Sequence, residues 1–286
     1  MDYSLTEEQE MLKKSTRDFL EKECPKALVR ELEKDTKGYS TELWRKMVDL
    51  GWMGLVIPEE YGGDGQSFLE LAIVLEEMGR SVLPGPFFSM VVLGALPIIA
   101  DGTEEQKREF LPGIAKGELL MTLALTEPDV TYDAEGVTVT ATADKDDYII
   151  NGTKLFVFNA HIADWMLCVT RTKNGANPEE GITVFLVDAK TPGIEVTVLD
   201  TMGDDKQCEV LFNDVRVPKK NILGDLDRGW DVISKALEQA TVAQCAVMIG
   251  QCIRVTEMTT EYAKTRVQFG APIGVFQVTA HRSVDQ

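Results

Sequence analysis

Hydrophobic and polar positions follow two different periods along the 286-residue chain. Up to about residue 120, apolar residues recur every three to four positions, which predicts amphipathic helices. The segments Thr6-Glu-Glu-Gln9 and Thr103-Glu-Glu-Gln106 have the spacing of capping boxes, in which the Thr and Gln side chains satisfy free backbone donors where a helix begins. A later helix is expected to end at Gly79, and its apolar stripe consists of Phe68, Leu71, Ala72, Leu75 and Met78.

The period changes to two in the middle of the chain. Val137, Val139 and Ala141 alternate with threonines, which predicts a half-buried strand. Asn151-Gly152 lies between two β-rich runs and predicts a tight hairpin turn. Short, evenly spaced strands of this kind are typical of a small antiparallel barrel or sandwich. The further predicted strands are Trp165–Thr170, Ile182–Val187, Ile194–Val198 and Glu209–Phe212.

The helical period returns near Gly229. Between Trp230 and Thr265 there is no proline and one glycine, so a single helix of roughly 50 Å is expected. A break at Phe269-Gly-Ala-Pro272 precedes a second helix from about Val275. Two helices do not close a bundle, which generally needs four. The pattern therefore predicts a C-terminal helical domain that is cut short at Gln286.

These periods predict an α+β chain of several domains. We expect an N-terminal all-α domain over residues 1–120 and a middle antiparallel β-barrel over residues 121–227. An incomplete C-terminal helical bundle is expected over residues 228–286.

Charge and composition exclude several classes of protein. With 29 Lys and Arg against 47 Asp and Glu, the formal net charge is −18, which repels nucleic-acid phosphates and anionic membrane surfaces. Only His161 and His281 are present, which weakens a Ser-His-Asp hydrolase or a multi-histidine metal site. The longest apolar stretch, from Val91 to Ala100, is interrupted by Pro97 and is far shorter than the ~20 residues that span a bilayer. We expect no metal, no nucleic acid and no membrane insertion.

The cysteines indicate a reducing compartment. There are five, none in a C-x-x-C pair, and their odd number argues against a disulfide framework. The N-terminus is acidic and does not resemble a signal peptide. A cytoplasmic location is expected, with the cysteines acting as small buried hydrophobes; they are Cys24, Cys168, Cys208, Cys245 and Cys252.

Six short motifs occur in order along the chain. They are Pro58-Glu-Glu-Tyr-Gly-Gly63, Gly102–Lys107 with Phe110-Leu-Pro112, Leu125-Thr-Glu-Pro128, Asn151-Gly-Thr-Lys154, Val215-Arg-Val-Pro218, and Arg266-Val-Gln-Phe-Gly270 with Phe276-Gln277. Together they resemble the motifs of the flavin-dependent acyl-CoA dehydrogenases, and the resemblance covers the whole chain. The fold of that family is an N-terminal helical domain, a middle β-barrel and a C-terminal four-helix bundle.

The resemblance implies FAD as cofactor and an acyl-CoA thioester as substrate. In such enzymes a carboxylate removes the α proton while the β hydrogen leaves as hydride to the flavin. The electrons then pass to an electron-transfer flavoprotein. The resemblance also implies a homodimer or homotetramer, with a hetero-oligomer left open.

The cofactor-binding residues implied by the resemblance fall into three segments. The strand through Leu123, Leu125 and Thr126 matches the one whose backbone and Thr hydroxyl contact the flavin ring. A second segment packs beside the isoalloxazine, and a third reaches the FAD of a neighbouring subunit, with an arginine on the pyrophosphate. The second segment is Phe156, Val157 and Phe158, and the third contributes Arg266, Phe269 and Gln277.

Departures from the family pattern concern the flavin and the substrate. Phe158 stands where the family has a Thr hydroxyl facing the flavin, and Thr131 and Tyr132 replace small residues near the thioester. The substrate-binding candidates are Tyr132, Glu238 and Thr241. In the family, the position of Thr241 often holds an Arg near the substrate.

No residue of the chain is predicted to be the catalytic base. Most members carry this glutamate late in the C-terminal bundle, so it is expected beyond Gln286, while others carry it at the position of Ala240. Glu238 is about 200° around the helix from Ala240, and Glu127 and Asp133 are interpreted as solvated or ion-paired acids. A rival interpretation is a non-catalytic partner subunit of a heteromeric acyl-CoA dehydrogenase, and a third is an oxidase of the same fold.

Overall fold

The structure, a computed structural model, describes residues 4–203 and 205–285. Contacts along the chain group these residues into two units. The first unit comprises the described residues of Met1–Val29, Leu69–Leu83 and Val242–Gln286. The second comprises Arg30–Phe68 and Pro84–Thr241. Both units contain buried apolar side chains.

Helices dominate the two ends of the chain. Thr6 and Thr103 each cap a helix through the predicted capping box, so both of these helix starts are confirmed. A π-helical segment, Phe88–Ala95, runs directly into the fifth helix. The helices are α1 (Glu7–Glu23), α2 (Lys26–Leu32), α3 (Thr41–Asp49), α4 (Phe68–Ser81), α5 (Leu96–Asp101), α6 (Glu104–Ala115), α7 (Gly229–Thr265) and α8 (Gln277–Val284).

The first unit is organised around a close crossing of α4 and α7. The prediction that α4 ends at Gly79 is wrong, because the helix continues to Ser81. A Cβ atom on Gly79 would collide with the carbonyl oxygen of Val247, and one on Gly250 would collide with that of Glu76. Gly79 therefore serves the approach of two helix backbones. Arg80, largely buried beside this crossing, pairs with Glu21 and Glu257 at 2.7 Å each.

The second unit contains a mixed sheet. The strands are β1 (Met121–Ala124), β2 (Thr140–Asp144), β3 (Asp147–Phe158), β4 (Trp165–Arg171), β5 (Ile182–Asp188), β6 (Ile194–Val198), β7 (Gln207–Pro218) and β8 (Ile222–Leu223). Their order in the sheet is β6-β7-β3-β2-β4-β5-β8, and β1 pairs with β4. The prediction of a purely antiparallel barrel is wrong in strand direction, because β1 runs parallel to β4. Among the described strands β6 and β8 do not pair, so the sheet is open.

The hairpin turn predicted at Asn151-Gly152 is wrong. The chain reverses earlier, at Lys145 and Asp146, since Asp144 pairs with Asp147 across β2 and β3. Gly152 lies inside β3 opposite Phe212, beside a shift of register. Its φ of 137° is a conformation that side chains rarely adopt, which explains a glycine at an irregular point of a strand. Asn151-Gly152 thus marks a bulge in a long strand.

The core of the second unit lies along the sheet, and α6 packs on it through an edge-to-face contact of Phe110 and Trp165, whose ring centroids are 4.9 Å apart. Cys24, Cys168 and Cys208 are buried as predicted, whereas Cys245 and Cys252 are exposed. A last pair of short strands, β9 (Val267–Gln268) and β10 (Ala271–Pro272), follows α7 in the first unit.

Candidate functional site

The candidate site begins where β1 ends. All four residues of β1 are buried, and Leu123 and Leu125 are 8% and 9% exposed. Thr126 follows outside the strand and is half-buried. Its carbonyl oxygen accepts a hydrogen bond of 2.8 Å from the backbone N–H of Leu155 in β3. The Thr126 side chain has no hydrogen-bond partner in the part of the chain that is described, so its hydroxyl is free for a ligand.

A bulge near the end of β3 decides which side chains face outward. Tyr148, Ile150 and Lys154 are buried at even positions, but the register shifts between Lys154 and Val157. Phe156 has a φ of 55°, the left-handed conformation that is uncommon for an aromatic residue. Beyond the shift the odd position, Val157, is buried in the sheet core.

The phase change exposes two aromatic rings. Phe156 and Phe158 are 38% and 41% exposed, although strict alternation from Ile150 would have buried both. The Thr122 hydroxyl of β1 donates to the carbonyl oxygen of Phe158 at 2.6 Å, which fixes this end of β3 against β1. Strand β3 thus runs beside Thr126 at Leu155, one residue before Phe156, and beside Thr122 at Phe158. The Val157 side chain faces the core and has only its backbone to offer at this surface.

A buried ion pair lies directly behind this surface. Lys154 is fully buried, Glu127 is 3% exposed, and the Lys154 Nζ lies 2.7 Å from the Glu127 Oε1. The carboxylate also accepts hydrogen bonds from the backbone N–H groups of Thr138 and Val139 and from the Thr138 hydroxyl. Glu127 was interpreted as a solvated or ion-paired loop acid. The ion pair is confirmed, whereas the side chain is buried and not solvated.

The surroundings of Glu127 keep it ionised. Burial alone would raise the pKa of this carboxyl, but the charge of Lys154 and the donors from Lys154, Thr138 and Val139 outweigh burial. The pKa of Glu127 consequently lies below its ordinary value. A carboxylate with its lone pairs already occupied is poorly suited to abstract a proton from a substrate.

Tyr132 lies on an exposed loop that an arginine organises from beneath. The tyrosine is 61% exposed, and among the described residues no hydrogen bond or ring contact joins it to Phe156 or Phe158. Arg171, the last residue of β4, donates to the carbonyl oxygens of Val137 and Ala134 at 2.7 and 2.8 Å. It also donates to those of Glu180 and Pro178 at 3.0 Å. One guanidinium thus ties the Tyr132 loop to the loop before β5.

The long helix presents no carboxylate at the alternative base position. Ala240 is 9% exposed, and Glu238 points outward as an exposed side chain. The hydroxyl of Thr241 donates to the carbonyl oxygen of Leu237 at 2.7 Å, within the helix. The structure does not bring Glu238 and Thr241 together with Tyr132.

The three remaining predicted cofactor residues belong to the first unit. Arg266 and Gln277 are exposed, and Phe269 is 95% exposed with a φ of 52° between β9 and β10. The ring of Phe269 contacts Phe276 edge-on, with centroids 6.2 Å apart. Arg266 makes no ion pair among residues 4–203 and 205–285. These side chains therefore form an exposed group at the end of α7 and the start of α8.

Residues 4–203 and 205–285 contain neither a metal-ligand cluster nor an apolar helix of membrane-spanning length. No group of three or more His, Cys, Asp or Glu side chains there could hold a metal ion. Likewise, none of the helices traced in those residues has the combination of length and apolar content needed to cross a membrane.

The fold and these segments correspond to one protein family. Family models for the acyl-CoA dehydrogenase N-terminal, middle and C-terminal domains match residues 6–118, 122–215 and 227–285. The chain belongs to the acyl-CoA dehydrogenase family, whose members are FAD-dependent oxidoreductases acting on CH–CH donors.

Three relatives illustrate the range of the family. YngJ, a probable acyl-CoA dehydrogenase of Bacillus subtilis, is 34% identical over 100% of this chain and 76% of its own length. The CarC subunit of the caffeyl-CoA reductase–Etf complex of Acetobacterium woodii is 31% identical over 98% of this chain and 75% of its own. The structure of butyryl-CoA dehydrogenase from Megasphaera elsdenii has a TM-score of 0.89 and 32% identity, covering 100% of this chain and 76% of that one.

The residues at the end of β3 suit the isoalloxazine ring of FAD. A flat aromatic ring with polar edges requires an apolar surface for its faces and donors for its heteroatoms. Phe156 and Phe158 provide exposed rings, and Thr126 provides a hydroxyl that has no hydrogen-bond partner among the described residues. The Glu127–Lys154 pair was not predicted from the sequence, although both residues belong to the quoted motifs. The two motifs meet only in the folded sheet, so neither motif alone indicates the pairing.

Proposed function

We propose that the chain carries out FAD-dependent α,β-dehydrogenation of an acyl-CoA thioester and passes the electrons to an electron-transfer flavoprotein. The single observation that carries this proposal is the outward turn of Phe156 and Phe158 at the bulge that follows Leu155, whose backbone N–H donates to Thr126. A strained bulge that exposes two aromatic rings costs stability, and such features are concentrated at ligand sites. Membership of the family supplies the reaction class.

The chain's own residues have separate tasks in this proposal. When bound, FAD supplies the hydride acceptor for the β hydrogen of the acyl group. Phe156 and Phe158 hold one face of the ring, and the Thr126 hydroxyl donates to its polar edge. Tyr132, on the loop held by Arg171, borders the acyl thioester. Arg266, Phe269 and Gln277 contact the FAD of a neighbouring subunit.

Proton abstraction is the step for which the described residues offer least. The α proton of a thioester is weakly acidic, so a placed carboxylate contributes about 10²–10⁴ in rate. Ala240 occupies the position that carries this carboxylate in some relatives of the same fold, and Glu127 is committed to Lys154. We therefore expect slow turnover by this chain alone.

Support for the electron acceptor comes from a relative. The CarC subunit acts in a complex with an Etf, and it matches 98% of this chain. Electrons that reach the flavin in pairs must leave it, and a second flavoprotein of the Etf type can accept them. The acceptor is thus proposed to be an electron-transfer flavoprotein rather than dioxygen.

A second candidate function is that of a partner subunit in a heteromeric acyl-CoA dehydrogenase. The alanine at position 240 favours it, because a subunit that lends architecture and flavin contacts needs no base of its own. Under this alternative a second type of chain supplies the carboxylate.

The test uses the purified chain loaded with FAD. A yellow protein with an oxidised-flavin absorption band is expected; a colourless chain that takes up no added FAD would contradict both functions. Saturated acyl-CoAs of increasing length are then mixed anaerobically with the loaded protein, and bleaching of the flavin band is followed. Slow bleaching that is reversed by an added electron-transfer flavoprotein supports the enzyme. Reversal by dioxygen at the same rate would contradict the proposed acceptor.

A further inference from the structure

The buried pair of Glu127 and Lys154 is not explained by stability alone. Burying two charges carries a desolvation penalty, and a well-packed apolar pair of similar volume is often as stable or more stable. Lys154 is nevertheless among the largest fully buried side chains of the described residues. A fixed ion pair specifies one arrangement of the chain segments that it joins, which an apolar pair does less well.

We propose that Glu127–Lys154 is a positioning pair that sets the place of Thr126 relative to the Phe156–Phe158 bulge, and thereby controls how FAD is held. The inference rests on the proposed FAD site. It assigns to these two residues an effect on the flavin through Thr126 and Phe156, without contact to the flavin itself.

Lys154 holds the segment that follows β1 through two hydrogen bonds. Its ammonium group donates to the Leu125 carbonyl oxygen at 2.9 Å and to the Glu127 carboxylate at 2.7 Å. The next residue, Leu155, donates its backbone N–H to the carbonyl oxygen of Thr126. Three consecutive residues are therefore held by two neighbouring residues of β3. The Thr126 side chain has little freedom to shift along the strand.

The bulge at Phe156 directly follows the residues that Lys154 fixes. Phe156 comes two residues after Lys154 and adopts a left-handed conformation, which is strained for a residue with a Cβ atom. Such a conformation persists only where the surroundings determine it. Just before the bulge, β3 is fixed by the hydrogen bond from the Lys154 side chain to Leu125. Just after the bulge, it is fixed by the hydrogen bond from the Thr122 hydroxyl to Phe158. Release of Lys154 leaves the bulge held at one end.

Glu127 is also hydrogen-bonded to the segment that leads into β2. The same carboxylate that binds Lys154 accepts the backbone N–H groups of Thr138 and Val139 at 2.9–3.1 Å. These residues lead into β2, so the pair joins three segments of the second unit at one point. Thr126, next to Glu127, is fixed relative to all of them.

The experiment compares variants by FAD affinity and by the spectrum of the bound flavin. Lys154→Met leaves a buried carboxylate unpaired and can prevent folding, so the double variant Glu127→Gln with Lys154→Met is made alongside it. The matched control is Arg80→Met, which removes the cation of an ion-pair cluster in the other unit. Folding of every variant is checked by circular dichroism and thermal unfolding.

The expected result is specific to the flavin. In the double variant the dissociation constant of FAD rises at least about tenfold, which is about 1.4 kcal/mol, and the absorption maxima of bound FAD shift. The Arg80→Met control loses thermal stability, yet keeps the affinity and the spectrum of the wild type.

A folded double variant with unchanged FAD affinity and spectrum would overturn the positioning role and leave Glu127–Lys154 as a structural pair. An equal loss of affinity in Arg80→Met would overturn it as well. If the wild type binds no FAD, the proposed FAD site is wrong. That result is distinct from failure of the positioning role, which is judged by comparing the variants with a wild type that binds FAD.

Discussion

Phe156 links a single backbone angle to the exposure of two rings. Its left-handed φ inserts the extra residue that turns Phe156 and Phe158 out of the core and Val157 into it. The ring of Phe156 and the strain of its backbone are separable by substitution, since glycine adopts this φ without strain and alanine adopts it only at a cost.

We predict that Phe156→Gly weakens FAD binding while leaving the free energy of unfolding equal to or up to about 1 kcal/mol above that of the wild type. Phe156→Ala loses the same ring but keeps the strained angle, so it weakens FAD binding without any gain in stability. Urea unfolding of the FAD-free proteins and titration with FAD measure the two effects. Tight FAD binding by Phe156→Gly would show that the ring is not part of the site.

The pKa of Glu127 predicts a dependence of stability on pH. Its folded pKa lies below the ordinary value of about 4.3, so the ionised pair stabilises the folded state fully above that pH. The contribution is lost as the pH falls from about 4.3 through the lower folded pKa. The wild type should therefore lose more stability between pH 7 and pH 3.5 than the Glu127→Gln, Lys154→Met double variant. Equal losses in urea unfolding would contradict the assignment of an ionised pair.

At the scale of elements, the long helix tests the proposed reaction most directly. Ala240 is buried on α7, and a carboxylate there would have a raised pKa because burial disfavours its charged form. A raised pKa suits a base that works near neutral pH.

We predict that Ala240→Glu speeds the reduction of bound FAD by acyl-CoA by about 10²-fold or more. Gln239→Glu is the matched control, because it adds the same carboxylate to the adjacent, exposed position of the helix. Stopped-flow measurement of flavin bleaching follows both. If the wild type already turns over at about 1 s⁻¹ or faster, a base is present where none was identified.

Elements differed in how far the sequence predicted them. Helices with strong local signals, such as those capped by Thr6 and Thr103, were confirmed because the capping bonds are made within four residues. Asn151-Gly152 carried an equally strong local signal and was wrong, since pairing of β3 with β7 across more than 50 residues overrides a turn preference. The Glu127–Lys154 pair was missed for the same reason: it depends on a contact between segments.

On the scale of the whole molecule, the exposed group at the end of α7 indicates assembly. Phe269 and the neighbouring apolar side chains of α8 lie open in the first unit, and Arg266 has no ion-pair partner in the described chain. We propose that they meet the FAD of a neighbouring subunit in a homodimer or homotetramer, in keeping with a family whose members are typically oligomeric. The domain limits at residues 120 and 227 stay a prediction.

We predict that the FAD-loaded protein sediments as a dimer or tetramer, and that Arg266→Ala weakens FAD retention about tenfold or more, since bonds to charged groups contribute about 1.5–3 kcal/mol. Lys264→Ala is the control, because it removes a cation two residues away that pairs with Glu261 on the helix surface. Analytical ultracentrifugation and FAD titration provide the measurements. A monomer that holds FAD normally would contradict the cross-subunit role.

The contact of Gly79 with Val247 and of Gly250 with Glu76 has a consequence for how this chain can vary. Alanine ordinarily improves a helix by about 1 kcal/mol over glycine, but here every side chain larger than hydrogen meets a carbonyl oxygen. In a library of all single substitutions sorted for folded protein, both positions should be depleted of alanine, while alanine remains common at exposed sites such as Gln239 of the same helix. An enrichment of alanine at either glycine would show that the two helices can separate without loss.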